Sequence, residues 1–182
     1  MKTNTDLFLK VLNIISWIIF VGLCIDTGGY ISNTIMTLTL NQKIASDFWS
    51  GINLSYLLHF NLLYFLVIAL ILSLVSLLKS ILFYLIISIF HENKLNFESP
   101  FDKQLGKYLN IFAWISLCIG LILYTASNFY KWLVKLGVEM PELSQMKFEA
   151  NDIWLFMGII LLIFAKIFKK GIELQSDKDL TI

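Results

Sequence analysis

The sequence predicts an all-α integral membrane protein with four transmembrane helices in an up-down bundle. Three observations carry that prediction. Hydrophobic residues make up 58% of the 182 positions and charged residues only 15%, where a soluble domain carries about 25% charged residues. Four apolar stretches reach or approach the roughly 20 residues that cross about 30 Å of hydrocarbon. The strongest of them, including the unbroken apolar run at 65–72, lacks the polar-apolar alternation of barrel strands.

The same composition excludes other classes. Two prolines, nine glycines and a mean hydropathy of +0.76 fit neither a disordered chain nor an ordinary soluble enzyme. A net charge of +1 supplies no basic field for phosphates, so no direct nucleic-acid binding is expected.

The chain reads as one domain, 1–182, with spans at about 7–30, 56–90, 108–129 and 153–168. The first carries Lys10 near its start and Asp26 near its end. Lys2 and Lys10 ahead of an apolar run imitate a secretory signal, but no small-x-small cleavage site follows, so an uncleaved span is expected. The threonines at 34, 37 and 39 follow it among apolar residues, as a helical extension or a short interfacial piece. The 91–107 loop contains Ser99-Pro100-Phe101-Asp102, which reads as a helix start with proline in the first turn. Pro141 interrupts a second loop of mixed charge, 131–151. The fourth span is short, and Asp152 and Lys166 extend it by reaching outward.

Every basic residue besides the two histidines is a lysine. With both termini inside, nine lysines fall on the cytoplasmic side and four on the other, with Lys79 within a helix; this balance predicts cytoplasmic termini. Trp49, Trp132 and Trp154 then mark the outer interface. Lysine-only usage with abundant Ile and Asn suggests an AT-rich bacterial genome.

Asp26 and Lys79 are the candidate site. A charge within a span costs about 2.5–3.5 kcal/mol on insertion scales and is commonly paired or functional. Asp26 lies about 24 Å along a helix from Lys10, and Lys79 about 18 Å from His91, a mismatch within a lysine's reach. Gly22, Asp26 and Gly29 share one helix face, and Ser73, Ser76 and Ser80 form a small polar stripe beside Lys79. Two arrangements are open: an intramembrane Asp26–Lys79 charge pair, or Asp26 at the headgroups with Lys79 snorkelling.

No metal, cofactor or catalytic set is expected. His59 and His91 stand at opposite ends of one predicted helix, and Cys24 and Cys118 read as buried structural thiols with no forced disulfide. Neither a phosphate loop nor a GxSxG nucleophile occurs in the sequence. The tail, 169–182, ends on apolar residues mixed with acids. A tail of that kind suits docking, with Ile172, Glu173, Leu174, Asp179 and Leu180 as the candidate partner contacts.

Gly171-Ile172-Glu173-Leu174-Gln175 and Asp179-Leu180-Thr181-Ile182 resemble the closing motif of the DUF2975 family of bacterial membrane proteins. The runs 22–26, 79–90 and 96–101 agree in order, whereas the two outer loops have no counterpart. The resemblance implies a four-span inner-membrane protein encoded near a small helix-turn-helix regulator, and it brings no catalytic residues.

The leading expectation is thus a non-enzymatic membrane protein that binds or tunes a cytoplasmic regulator through the 91–107 loop and the tail. A small transporter or channel component using Asp26 and Lys79 is the first alternative. An immunity or envelope-stress membrane protein is the second. A homo-oligomer is compatible with all three.

Overall fold

The computed structural model describes residues 2–91 and 103–179. The chain forms α1 (Lys2–Thr39), two 3-10 turns (Gln42–Asp47 and Trp49–Gly51), α2 (Ser55–Phe60), α3 (Leu62–His91), α4 (Lys103–Lys135) and α5 (Asn151–Asp179). Four helical segments are long and apolar enough to cross a membrane: Leu7–Thr39, Leu62–Phe90, Gln104–Lys135 and Asn151–Gln175. The predicted all-α, multi-pass architecture stands. The predicted helix start at Ser99–Asp102, most of the 91–107 loop, and Leu180 lie outside the described residues.

Element boundaries differ from those predicted, each for a local reason. The first helix continues to Thr39 because Thr34, Thr37 and Thr39 donate their hydroxyls to carbonyls four residues back, at 2.7–2.8 Å. Those bonds keep each hydroxyl satisfied without unwinding the helix. The predicted 56–90 span is two helices, broken at Asn61. Extended backbone at Asn61 ends α2, and its Oδ1 accepts from the Leu63 amide at 2.8 Å, which caps the start of α3. His59 therefore belongs to α2, on a different helix from His91.

At its far end α4 closes with Gly137 in the left-handed region (φ 83°). The Val138 amide donates to the Leu133 carbonyl at 3.2 Å and the Gly137 amide to Val134 at 3.0 Å. This is a Schellman stop, and Leu133 and Val138, the two residues such a stop brings together, are both buried. The last helix runs well past the predicted 153–168 because no proline follows and lysines at 166, 169 and 170 remain compatible with a helix leaving the bilayer.

Packing follows an up-down order. Phe20 meets Tyr84 and the Ser76 hydroxyl donates to the Leu23 carbonyl at 3.1 Å, so α1 and α3 are antiparallel. In the second hairpin Gly120 faces Leu155, while Gly106 lies beside Phe168 and Ile172, which makes α4 and α5 antiparallel too. The hairpins join where Tyr64 of α3 meets Phe129 and Trp132 of α4 edge-on. Backbone packing runs α1 to α3 to α4 to α5, and α1 packs closely on neither α4 nor α5. The four spans thus stand as an open row rather than a closed ring, with α3 and α4 central. The apolar residues exposed along α1, such as Phe8, Ile14, Ile18 and Ile25, are suited to lipid.

Gly120 and Gly158 set the approach of α4 to α5. A Cβ on Gly120 would lie 2.8 Å from the Leu155 backbone nitrogen, and one on Gly158 would lie 2.9 Å from that of Leu117. The two contacts are reciprocal, each glycine receiving a leucine three residues before the other glycine. Gly22, by contrast, has nothing near. We expect Gly120→Val or Gly158→Val to destabilise the detergent-solubilised protein by about 1–3 kcal/mol through overpacking. Gly22→Ala should leave thermal unfolding unchanged or slightly improved, measured in the same micelles.

Candidate functional site: an ionic cluster at the loop end

Two connections meet at the end of the row opposite the termini, and both are built around buried apolar residues. In the first, Asn41 caps the 3-10 turn by accepting from the Lys43 amide at 2.9 Å. Asn53 accepts from the Ser55 amide and hydroxyl at 3.0 and 2.6 Å. Along this connection and into α2, Ala45, Phe48, Ile52, Leu54 and Leu57 are fully buried or nearly so. Phe48 stacks on Tyr30 of α1 and meets Phe65 of α3 edge-on. The connection therefore folds back as a plug on the α1–α3 hairpin and aims Trp49 at α1.

Trp49 rests directly on Gly29, where any Cβ would overlap its ring. Its indole nitrogen donates to Asp26 Oδ1 at 3.0 Å. The residue expected to mark the interface is thus a hydrogen-bond partner of Asp26. The packing role expected of Gly29 is real, whereas Gly28 faces open space.

The second connection supplies the cation. Pro141 precedes a single turn whose end repeats the Schellman pattern: the Phe148 amide donates to Leu143 at 3.3 Å and the Lys147 amide to Ser144 at 3.0 Å. Lys147 holds the left-handed position (φ 57°) that glycine usually fills. Met146 and Phe148 on either side are buried. They anchor the turn and direct Lys147 to Asp26, Nζ to Oδ2 at 3.1 Å. Tyr130 ties the same connection to α4 by donating its hydroxyl to the Pro141 carbonyl at 2.9 Å.

Lys79 takes another partner. Its ammonium lies 5.4 Å from the centre of the Trp154 ring in the first turn of α5, a cation-π contact that gains strength with desolvation. Asp26 and Lys79 border the same small cavity with Tyr30, Ser76, Met146 and Lys147. The direct pair proposed from helix depths does not form: the ion pair of Asp26 is made by Lys147. Depth along the helices brought both groups to one level, but the loop cation reaches the carboxylate and the α5 indole covers the lysine.

Of the serine stripe, Ser76 alone bridges helices; Ser73 and Ser80 bond within α3. The Leu23 carbonyl accepts from both Ser76 and Thr27. Tyr30 Oη is buried without a well-formed hydrogen bond. Cys24 and Cys118 are free and exposed on the helix surfaces rather than buried. Among the tail residues Ile172 is half-buried against α4, Glu173 pairs with Lys170 at 3.3 Å and Leu174 is exposed.

The cavity holds about 40 Å³, close to the space of one water molecule. Its wall is mostly apolar, with Asp26, Lys79 and Lys147 as the charged groups at it. Among the described residues no group of three His, Cys, Asp or Glu is placed to hold a metal.

Comparison of the chain with protein-family models, curated proteins and solved structures finds no match.

Burial works against the Lys147 ammonium, but the Asp26 hydrogen bond and the neighbouring Tyr30 and Asp26 charges outweigh it and raise the pKa above the ordinary lysine value. A raised folded-state pKa gives stability that is complete below the unfolded lysine pKa and is lost as pH climbs through the raised one. Thermal unfolding of the wild type relative to Lys147→Met should therefore show a constant advantage from neutral pH upward, shrinking only in strongly alkaline buffer. A double-mutant cycle of Asp26→Asn with Lys147→Met should give a coupling of about 1 kcal/mol, between surface and buried ion pairs. The cycle of Asp26→Asn with Lys79→Met should be closer to additive. Lys147→Gly should cost about 1 kcal/mol less than Lys147→Met, because glycine accepts the left-handed backbone.

Proposed function

We propose that this chain is a non-enzymatic protein of the bacterial cytoplasmic membrane, with both termini in the cytoplasm, that binds or tunes a soluble regulator through its terminal end. Its opposite end is a latch, closed by Lys147 on Asp26. The observation that carries this reading is the continuity of α5. One helix of 29 residues, about 44 Å long, begins with Trp154 over Lys79 and ends beyond the exposed Leu174. A shift of the latch that moves Trp154 is thereby carried along a rigid rod to the tail. The lysine balance supports the orientation, and the likeness of the tail and of runs 22–26, 79–90 and 96–101 to DUF2975 proteins supports the regulator as partner class.

A second reading, proton movement through the bilayer, is favoured by one observation: Asp26, Lys79 and Lys147 surround a cavity with room for a water. That volume admits no larger solute.

The two readings separate experimentally. Affinity purification from native membranes in mild detergent should compare the full chain with one ending after Lys170. A soluble regulator retained by the full chain and lost with the tail supports the leading reading. Equal capture by both forms sinks it. Proton leak in proteoliposomes that Asp26→Asn abolishes would move the assignment to the second reading.

A further inference from the structure

A cavity lies far from the ionic cluster, at the terminal end of the α4–α5 hairpin. It measures about 570 Å³ and opens between the two helices. Leu162, Ala165, Lys166, Lys169, Ile172 and Glu173 line one wall, a spacing of three and four residues that defines a single face of α5. Gly106, Lys107 and Asn110 form the facing wall on α4. Phe168 and Ile172 lie beside Gly106, with atoms 3.6–3.7 Å from where its Cβ would stand, an ordinary contact distance.

The cleft has two parts of different chemistry. Its floor is apolar, made by Leu162, Ala165 and Ile172. Its rim carries the ammonium groups of Lys107, Lys166 and Lys169, all on exposed residues and none in an ion pair among the described residues. The single carboxylate, Glu173, is engaged by Lys170 at 3.3 Å. Every lining residue falls within the candidate spans Gln104–Lys135 and Asn151–Gln175, so the cleft is built from helices long and apolar enough to cross a membrane.

We propose that this cleft is a binding site for an anionic phospholipid, with the phosphate held among Lys107, Lys166 and Lys169, Asn110 beside it, and an acyl chain along Leu162, Ala165 and Ile172. Charge complementarity selects the anion, since among the described lining residues three cations stand against one carboxylate, Glu173, which Lys170 engages. The apolar floor selects a lipid over a free phosphate. Basic pockets between transmembrane helices take acidic headgroups for this reason, and the volume is within the range of small-molecule sites. The site is separate from the latch, and it shares Ile172 and Glu173 with the tail face proposed above to contact the regulator.

Native mass spectrometry of the full chain tests it, with delipidated protein in detergent titrated separately with phosphatidylglycerol, phosphatidylcholine and inorganic phosphate. One phosphatidylglycerol should bind in preference to phosphatidylcholine, with no phosphate adduct. Changing Lys107, Lys166 and Lys169 to Gln one at a time should each weaken that binding roughly fivefold. The triple Gln variant should lose the preference and the triple Arg variant should keep it. Lys131→Gln with Lys135→Gln, at the other end of α4, should leave it unchanged. Equal retention of the two lipids, a phosphate adduct matching the lipid, or a triple Gln variant that still prefers phosphatidylglycerol overturns the proposal. So does a dimer in which Asn110→Cys cross-links the two copies through the cleft.

Discussion

Asp26 stands on a helix that otherwise presents apolar side chains to lipid along most of its length, and a carboxylate there has to be neutralised from within the chain. Both loop-end connections are shaped by that demand. One is folded by three asparagine caps and a plug of buried residues, so that an indole donor arrives at Oδ1. The other holds a lysine in a backbone conformation lysine rarely adopts, between two buried apolar anchors, so that its ammonium arrives at Oδ2. Asp26 thus draws one donor from each loop-end connection, which ties both to the same point on α1.

This matters because the helices alone join the hairpins weakly. Within each hairpin, close contacts recur along the length, through Ser76 and Tyr84 in one and the paired glycines in the other. Between them, backbone packing is confined to α3 against α4. Hydrocarbon supplies no hydrophobic force to close the row. The aromatic group of Tyr64, Phe129 and Trp132, the Lys79–Trp154 contact and the Lys147–Asp26 bond are therefore the ties that fix one hairpin against the other.

How far the sequence was legible follows from the range of each signal. Apolar length announced four spans because membrane thickness acts on contiguous residues. The exceptional status of Asp26 and Lys79 was also plain, since a charge among twenty apolar neighbours stands out in one dimension. Their partners were not. Lys147 is 121 residues from Asp26 and occurs in a loop of mixed charge, where a lysine is ordinary. The local clue was its place between Met146 and Phe148, two apolar residues in a polar stretch that hold it against the bundle. Trp49 looked like an interfacial anchor because position along the chain reports depth but not what a ring touches. The break at Asn61 was readable in principle from a lone asparagine between apolar runs, a natural helix cap, but hydropathy averages over such a residue.

The separation of the partners along the chain also sets an order of events during synthesis. Asp26 is made 121 residues before Lys147, an interval of roughly 6–24 s at about 5–20 residues per second. Over that interval the carboxylate is in a hairpin whose cation does not yet exist. Trp49 follows Asp26 by only 23 residues, roughly 1–5 s at the same speed. The indole is then the first partner to reach the acid, and the ammonium the last. A bond that looks secondary in the finished protein is, on the ribosome's clock, what lets the first hairpin wait for the second.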